Sequence, residues 1–223
     1  MSDDRTILAI SGSGIADGES CSVALSHRGK ASTTVSTTQA RTDLAVLVEQ
    51  LCEDAKVGLH AVEELRVDIG PGSYIGLRIA VTFARFVAGF GSARLLATDS
   101  LQLLAAAAAQ SHPKTAGTRL WPVIPGRAGR LHVAAFGVSE ASGWTRETAP
   151  KTLLEGEFST LLAPEDLVVA TQKTLDGLET IAPERCRAVD LVPATTLLSA
   201  GLTLEESSPE ALQPLYLMGS YAE

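Results

Sequence analysis

The chain has 223 residues, 45% of them apolar and 20% charged, which is enough to bury a core without disulfide or metal staples and excludes disorder as the default. A formal net charge of -8 argues against a protein that wraps nucleic acid by itself, because phosphate contacts need clustered Lys and Arg. No apolar run approaches the roughly 20 residues of a membrane span, and the acidic start Met1-Ser2-Asp3-Asp4 with three scattered thiols, Cys21, Cys52 and Cys186, reads as cytoplasmic.

Thr6 to Ile10 is an apolar run closed by Ser11-Gly12-Ser13-Gly14, which predicts a buried strand and a turn. Cys21 to Leu25, the connection His27-Arg28-Gly29-Lys30 and the Thr-rich Ala31 to Ser36 predict a hairpin with a four-residue connection. Leu44, Leu47, Val48, Leu51 and Ala55 then recur at helical spacing, with Thr42 or Asp43 as cap and Gly58 as stop. Leu65 to Ile69 predicts a strand, Gly70 to Gly76 a tight loop, and Leu77 to Phe90 a second helix. A strand at Arg94 to Ala97 and a third helix, capped by Asp99 or Ser100 and running through Gln110, end this series. The polar, breaker-rich Ser111 to Gly117 predicts the exposed connection to a second half. Beyond it, Trp121 to Ile124, Leu131 to Val138 and Trp144 to Thr148 read as strands. A helix at Glu155 to Leu162, a strand at Leu167 to Ala170 and a helix at Leu175 to Ile181 follow.

Both halves, 1–110 and 111–223, thus run strand, strand, strand, helix, strand, helix. This duplicated α/β order resembles the actin-like ATPase and sugar-kinase superfamily, with its ribonuclease H-like subdomains, an analogy of fold that does not establish function. In that superfamily the turn after each half's first strand receives phosphate, and an acidic residue there orients a hydrated magnesium ion, a hard cation that takes oxygen ligands. Here the first such turn, Ser11-Gly12-Ser13-Gly14, has the small residues of a backbone nest and no carboxylate. The second, Pro125-Gly126-Arg127-Ala128-Gly129, again lacks an acid. Ser11, Gly12, Ser13, Gly126 and Arg127 therefore read as vestigial phosphate turns. No catalytic residue, metal or cofactor is expected.

The loop from Gly70 to Gly76 could cradle a phosphate at a helix N-terminus with Arg78 as counter-charge, but it matches neither the dinucleotide glycine motif nor the P-loop. A structural turn with Gly at positive dihedrals is the simpler expectation. His27, His60, His112 and His132 have no metal-ligand spacing, and no nucleophile elbow precedes a helix.

Gly70-Pro71-Gly72-Ser73-Tyr74-Ile75-Gly76-Leu77-Arg78-Ile79-Ala80-Val81 resembles the glycine-rich signature of the TsaB (YeaZ-like) family, in the position that family gives it. Ile7 to Ile10 with Cys21-Ser22-Val23-Ala24-Leu25, and Pro214-Leu215-Tyr216-Leu217 with Ser220-Tyr221-Ala222-Glu223, are similar to that family's opening and ending. The chain departs from the family at Ser11-Gly12-Ser13 and Pro125-Gly126-Arg127, where acids are lost. The resemblance implies a non-catalytic partner of TsaD, the subunit that transfers a threonylcarbamoyl group to the adenosine beside the tRNA anticodon. It also implies an assembly with the ATPase TsaE and tRNA, a homodimer when the chain is alone, and no membrane.

On the second helix Leu77, Val81, Ala84 and Ala88 cluster on one face at about 100° per residue, while Ile79, Phe83, Phe86 and Phe90 form another, leaving Arg78, Thr82 and Arg85 to water. On the first helix Val46, Gln50, Glu53 and Val57 lie opposite the core face. The resemblance implies that these two helices carry the partner interface. Two other readings compete with it: a nucleotide-dependent kinase or hydrolase of the same superfamily, and a diverged homodimeric module unrelated to tRNA.

Overall fold

A computed structural model describes residues 4–36, 43–111, 118–139, 143–199 and 201–218. The cap expected at Thr42, the connection at 112–117 and the C-terminal match at 220–223 lie outside the described residues. The chain divides into two compact units, the first of Met1–Ser100 with Val192–Leu215 and the second of Leu101–Leu191 with Tyr216–Glu223.

In the first unit β1 (Ile7–Ser11), β2 (Cys21–His27) and β3 (Lys30–Ser36) are followed by α1 (Asp43–Ala55), β4 (Glu64–Asp68), α2 (Tyr74–Phe90) and β5 (Arg94–Thr98). The β2–β3 connection is tighter than expected. His27 pairs with Lys30, and Arg28 and Gly29 occupy the left-handed region at φ 50° and 72°, a two-residue turn whose twist suits the hairpin. α1 ends before Gly58: Lys56 adopts φ 55°, its amide donates to Glu53 O, and the Val57 amide reaches back to Cys52 O. This pair of bonds caps the last turn and directs Val57 inward. α2 begins earlier than expected, because the Ser73 hydroxyl accepts the Gly76 amide as N-cap, so Ile75 and Gly76 are helical.

In the second unit α3 (Ser100–Ser111) leads to β6 (Arg119–Pro125) and β7 (Arg130–Val133). The single strand expected at Leu131 to Val138 is two, since β8 (Phe136–Ser139) leaves β7 and pairs with β9 (Gly143–Arg146) and with the start of β6. β10 (Lys151–Leu154), which the sequence pattern misses, pairs with β7. α4 (Glu155–Ser159), β11 (Leu167–Ala170), α5 (Gln172–Asp176) and β12 (Cys186–Ala188) follow, so the last expected helix is earlier and shorter.

The strand order is β3-β2-β1-β4-β5 in the first unit and β10-β7-β6-β11-β12 in the second, with antiparallel and parallel pairings matching step for step. The duplication is therefore topological, with β8–β9 added to the second copy. The chain then returns. α6 (Pro193–Leu197) packs on β1, β2 and β4, and β13 (Glu205–Ser207) pairs with β5. The units are thus not the successive lengths 1–110 and 111–223 that the pattern suggests.

β1 and β4 are buried along their whole length because helices cover both faces of the sheet. Leu8, Ile10, Val23, Leu65, Val67, Ala80, Val81 and Ala84 form the first unit's core, and Trp121, Val123, Val133, Phe158 and Val168 the second's. Each large apolar side chain so buried contributes about 1.5–3 kcal/mol.

Candidate functional site

The C-terminal ends of the parallel strands β1, β4 and β5 bring Ser11, Asp68 and Ser100 together in the first unit. The Asp68 carboxylate, fully buried, accepts from Ser11 Oγ at 2.8 Å, Ser100 Oγ at 2.6 Å and the Gly70 amide at 2.9 Å. Ser13 Oγ lies 2.9 Å from Ser11 Oγ. Burial pushes the Asp68 pKa above the ordinary carboxylate value, opposed by hydrogen bonds from Ser100, Ser13, the Gly70 amide and Ser11. Glu19, in the same β1–β2 connection, is half-buried. Burial raises its pKa, a Ser22 hydrogen bond lowers it, and the Asp68 charge raises it again. The turn itself holds no acid, but the fold supplies Asp68 from β4. The available signal was a carboxylate closing an apolar strand, since polar groups of parallel sheets gather at strand ends.

The signature loop closes over this turn. Gly70 alone among its glycines lies in the left-handed region, at φ 101°. Gly72 and Gly76 are needed for space: a Cβ on Gly72 would lie 2.4 Å from Ser13 O, and one on Gly76 2.0 Å from Gly12 O. A Cβ on Gly12 would lie 2.3 Å from Gly76 O. The Ser73 amide donates to Ser13 O at 2.7 Å. The start of α2 thus rests on Gly12 and Ser13, and protein oxygens occupy amides that a phosphate would need open. Pro71 is buried beneath the loop, and exposed Arg78 donates through Nη1 to Tyr74 Oη at 3.3 Å.

Gly126 and Arg127 sit in a hairpin turn between β6 and β7. The Gly126 amide donates to Arg130 O at 2.7 Å and the Arg130 amide to Arg127 O at 3.1 Å, with Ala128 at φ 53° and Gly129 at φ 68°. Beneath it lies buried His132, whose Nδ1 is 2.8 Å from Thr152 Oγ1, and that hydroxyl donates to Leu217 O at 3.2 Å. The Thr152 oxygen therefore accepts from Nδ1–H, and Nε2 is the bare nitrogen. Burial lowers the His132 pKa. Among the described residues no group of three or more His, Cys, Asp or Glu could hold a metal ion.

The helix residues divide. Phe86 and Phe90 are 62% and 84% exposed and touch, their ring centroids 4.7 Å apart, and Val46 on α1 is 59% exposed. Gln50 and Glu53 are exposed beside it. Ile79 and Phe83 are half-buried and pack on the chain's own core, and Val57 is buried because it follows the helix-ending turn. Val57 is thus no partner contact, and Ile79 and Phe83 serve the core first. Arg78, Thr82 and Arg85 are exposed, as expected.

A family profile described as "TsaD: tRNA N6-adenosine threonylcarbamoyltransferase" matches residues 34–187, more than half of the chain. YeaZ from Pseudomonas aeruginosa is 25% identical, with a TM-score of 0.76 over 96% of this chain and 100% of that one. An uncharacterized protein with similarity to peptidase YEAZ from Pseudomonas aeruginosa is 24% identical, with a TM-score of 0.75 over the same 96% and 100%. No curated protein matches. The fold is the actin-like, ribonuclease H-like fold, and among the described residues no helix is long and apolar enough to cross a membrane.

Proposed function

This chain belongs to the family described as TsaD, tRNA N6-adenosine threonylcarbamoyltransferase, and we propose that within it the chain is a non-catalytic, TsaB-type subunit supporting threonylcarbamoyl modification of tRNA. The family description names an enzyme, so the non-catalytic reading needs its own support. That support is the filled first turn: Ser13 O takes the Ser73 amide, and Gly12 and Gly76 are in backbone contact where a nucleotide phosphate would sit. Asp68 is fully buried, and its carboxylate is held by Ser11, Ser100 and the Gly70 amide. The catalytic partner is a TsaD-like subunit, in an assembly with a TsaE-like ATPase and tRNA in the cytoplasm. It docks on the exposed α1–α2 face.

The test reconstitutes the modification with the TsaD-like and TsaE-like subunits and tRNA from the same source. Omitting this chain lowers product at least tenfold or so, and the chain alone neither hydrolyses ATP nor binds magnesium-ATP more tightly than about millimolar. Full modification without it, or stoichiometric micromolar ATP binding in calorimetry, overturns the reading. The double variant Phe86→Glu with Phe90→Glu spares the core and abolishes partner binding.

A further inference from the structure

The chain leaves the first unit for the second after Ser100 and again after Leu215. Both exits are fastened to the same two residues. The Ser100 amide donates to Gly70 O at 2.8 Å, and the Leu215 amide donates to Ile69 O at 2.7 Å. The Ile69 amide donates to Thr98 O at 3.0 Å, and one oxygen of Asp68 takes both Ser100 Oγ, at 2.6 Å, and the Gly70 amide, at 2.9 Å. Every backbone N–H and C=O of Ile69 and Gly70 is thus bonded, and two of those four bonds hold the exits.

The same dipeptide opens the loop that leads into α2. A Cβ on Gly70 would lie 2.6 Å from Leu77 Cδ1 and 3.4 Å from Leu215 O, so the first turn of α2 and the second exit meet on one side of this glycine. Leu77 is buried there. The links onward are short. Ser100 is itself the first residue of α3, and Leu215 stands two residues before Leu217, whose carbonyl accepts from Thr152 on β10. Two residues span at most about 7 Å and leave little slack, and a close-packed neighbour such as Leu77 passes a shift on instead of absorbing it.

We propose that Ile69–Gly70 is a coupling node that ties the seat of the first turn of α2 to the second unit's hold on the chain, so that partner binding on α2 and the anchoring of Ser100 and Leu215 strengthen each other. Ser100, Leu215 and Thr152 are then positioning residues, and none of them belongs to the exposed row of Phe86 and Phe90. The node has two arrangements: the exit bonds made with Leu77 seated against Gly70, or the exit bonds broken and the first turn of α2 free to shift. Whatever favours the first at one end favours it at the other, a reciprocity that ordinarily amounts to about 5- to 150-fold in affinity. The partner half of this proposal rests on the reading of α1–α2 as the partner face, whereas the coupling within the chain does not.

Amide hydrogen exchange on the full chain tests the coupling without a partner. Thr152→Val removes the hydroxyl that holds Leu217 O, wholly within the second unit. It should nonetheless quicken exchange of the Ser73, Gly76 and Leu77 amides, which bond Ser13 O, Ser73 Oγ and Ser73 O, at least about fivefold. Asp166→Asn disturbs the second unit elsewhere, at Arg119, Trp121 and the Ala163 amide, and should leave those three amides at their wild-type rates. Ser100→Ala, which breaks one bond at the other exit, should quicken the Leu215 amide and serves if Thr152→Val fails to fold. With the TsaD-like subunit added, exchange at Ser100 and Leu215 should slow at least about fivefold, and Thr152→Val should weaken binding by about the same factor. Wild-type exchange at all three loop amides in Thr152→Val, or equal acceleration by Asp166→Asn, which would mark a general loss of stability, overturns the proposal. So does wild-type affinity of Thr152→Val for the subunit. Should the loop amides quicken while the wild-type chain does not bind the subunit, the coupling stands and the partner reading fails.

Discussion

The β1–β2 turn of the first unit and the β6–β7 turn of the second occupy the same step of one topology, yet they are built on different principles. The first is a long connection whose opening residues, Gly12 and Ser13, are in backbone contact with Gly76 and Gly72, above a buried carboxylate. The second is a short hairpin turn closed by its own hydrogen bonds, with a neutral histidine below it. The two turns look alike in sequence, small residues without a carboxylate. In structure one turn is closed by packing and the other is a hairpin. That contrast predicts that equal substitutions at the two turns have unequal effects.

The largest gap is expected between Gly76→Ala and Gly126→Ala. At Gly76 the new methyl would meet the Gly12 carbonyl at 2.0 Å, backbone against backbone, so the start of α2 must move away from the turn. Chemical denaturation should register a loss of more than about 3 kcal/mol. At Gly126 the nearest atoms, Arg130 O and His132 Nε2, are 3.1 Å away and need give by only a few tenths of an ångström, for a loss of about 1 kcal/mol. Similar losses at both sites would show that the first turn is as loosely packed as the second.

Asp68 sharpens the comparison next. Asp68→Ala leaves Ser11, Ser100 and the Gly70 amide without their acceptor and should cost about 2–4 kcal/mol. Asp68→Asn keeps an acceptor for Ser100 and Gly70 and removes the buried charge. Because the folded-state pKa is raised, this group favours folding fully below its unfolded pKa, near 4, and that contribution is lost as pH rises through the folded value. Asp68→Asn should therefore be at least as stable as wild type at pH 7 and lose that advantage below about pH 4. An Asn variant as damaged as the Ala variant would mean that the negative charge itself holds the loop.

His132 gives the second unit the opposite sign. Its folded pKa is lowered by burial, so its contribution is present above about pH 6.5 and lost as pH falls toward the folded value. Thermal melts between pH 7.5 and 5 should fall by a few degrees for wild type and less for His132→Gln, which retains a donor toward Thr152. A pH slope unchanged in the variant would assign the acid sensitivity elsewhere.

Much of the first unit was legible because its strands are short apolar runs and its helices carry a 3.6-residue period that no other element interrupts. The return of Val192–Leu215 was not. α6 is one turn long and β13 three residues, too short for any period to register, and they join the first unit only through long-range pairing with β5 and packing on β1. The signature loop could be recognised, but the reason for its glycines could not: sequence suggested positive dihedrals, whereas only Gly70 has one, and Gly72 and Gly76 answer to atoms of a turn some sixty residues away. Asp68 was hidden for the same reason, since its partners come from three separate elements. The exposed Phe86 and Phe90 were readable from helical geometry alone, but Val57 was not, because Lys56 rather than Gly58 ends α1.

The smallest expected effect is a gain. Ala128 holds φ 53° at the first central position of the β6–β7 turn, a conformation that costs an alanine about 1 kcal/mol and a glycine nothing, and the residue is exposed. Gly129, the second central position at φ 68°, is already glycine. If this turn is now only a hairpin, nothing but backbone conformation is at stake, and Ala128→Gly should stabilise the protein by about 0.5 kcal/mol after the added freedom of the unfolded chain is subtracted. Ala128→Asn, which tolerates the left-handed region and loses less on folding, should gain slightly more. Both variants should leave partner binding and the tRNA-modification assay unchanged. A loss of activity with a gain of stability would show that the turn keeps a contact beyond the hairpin, and would reverse the contrast drawn between the two turns.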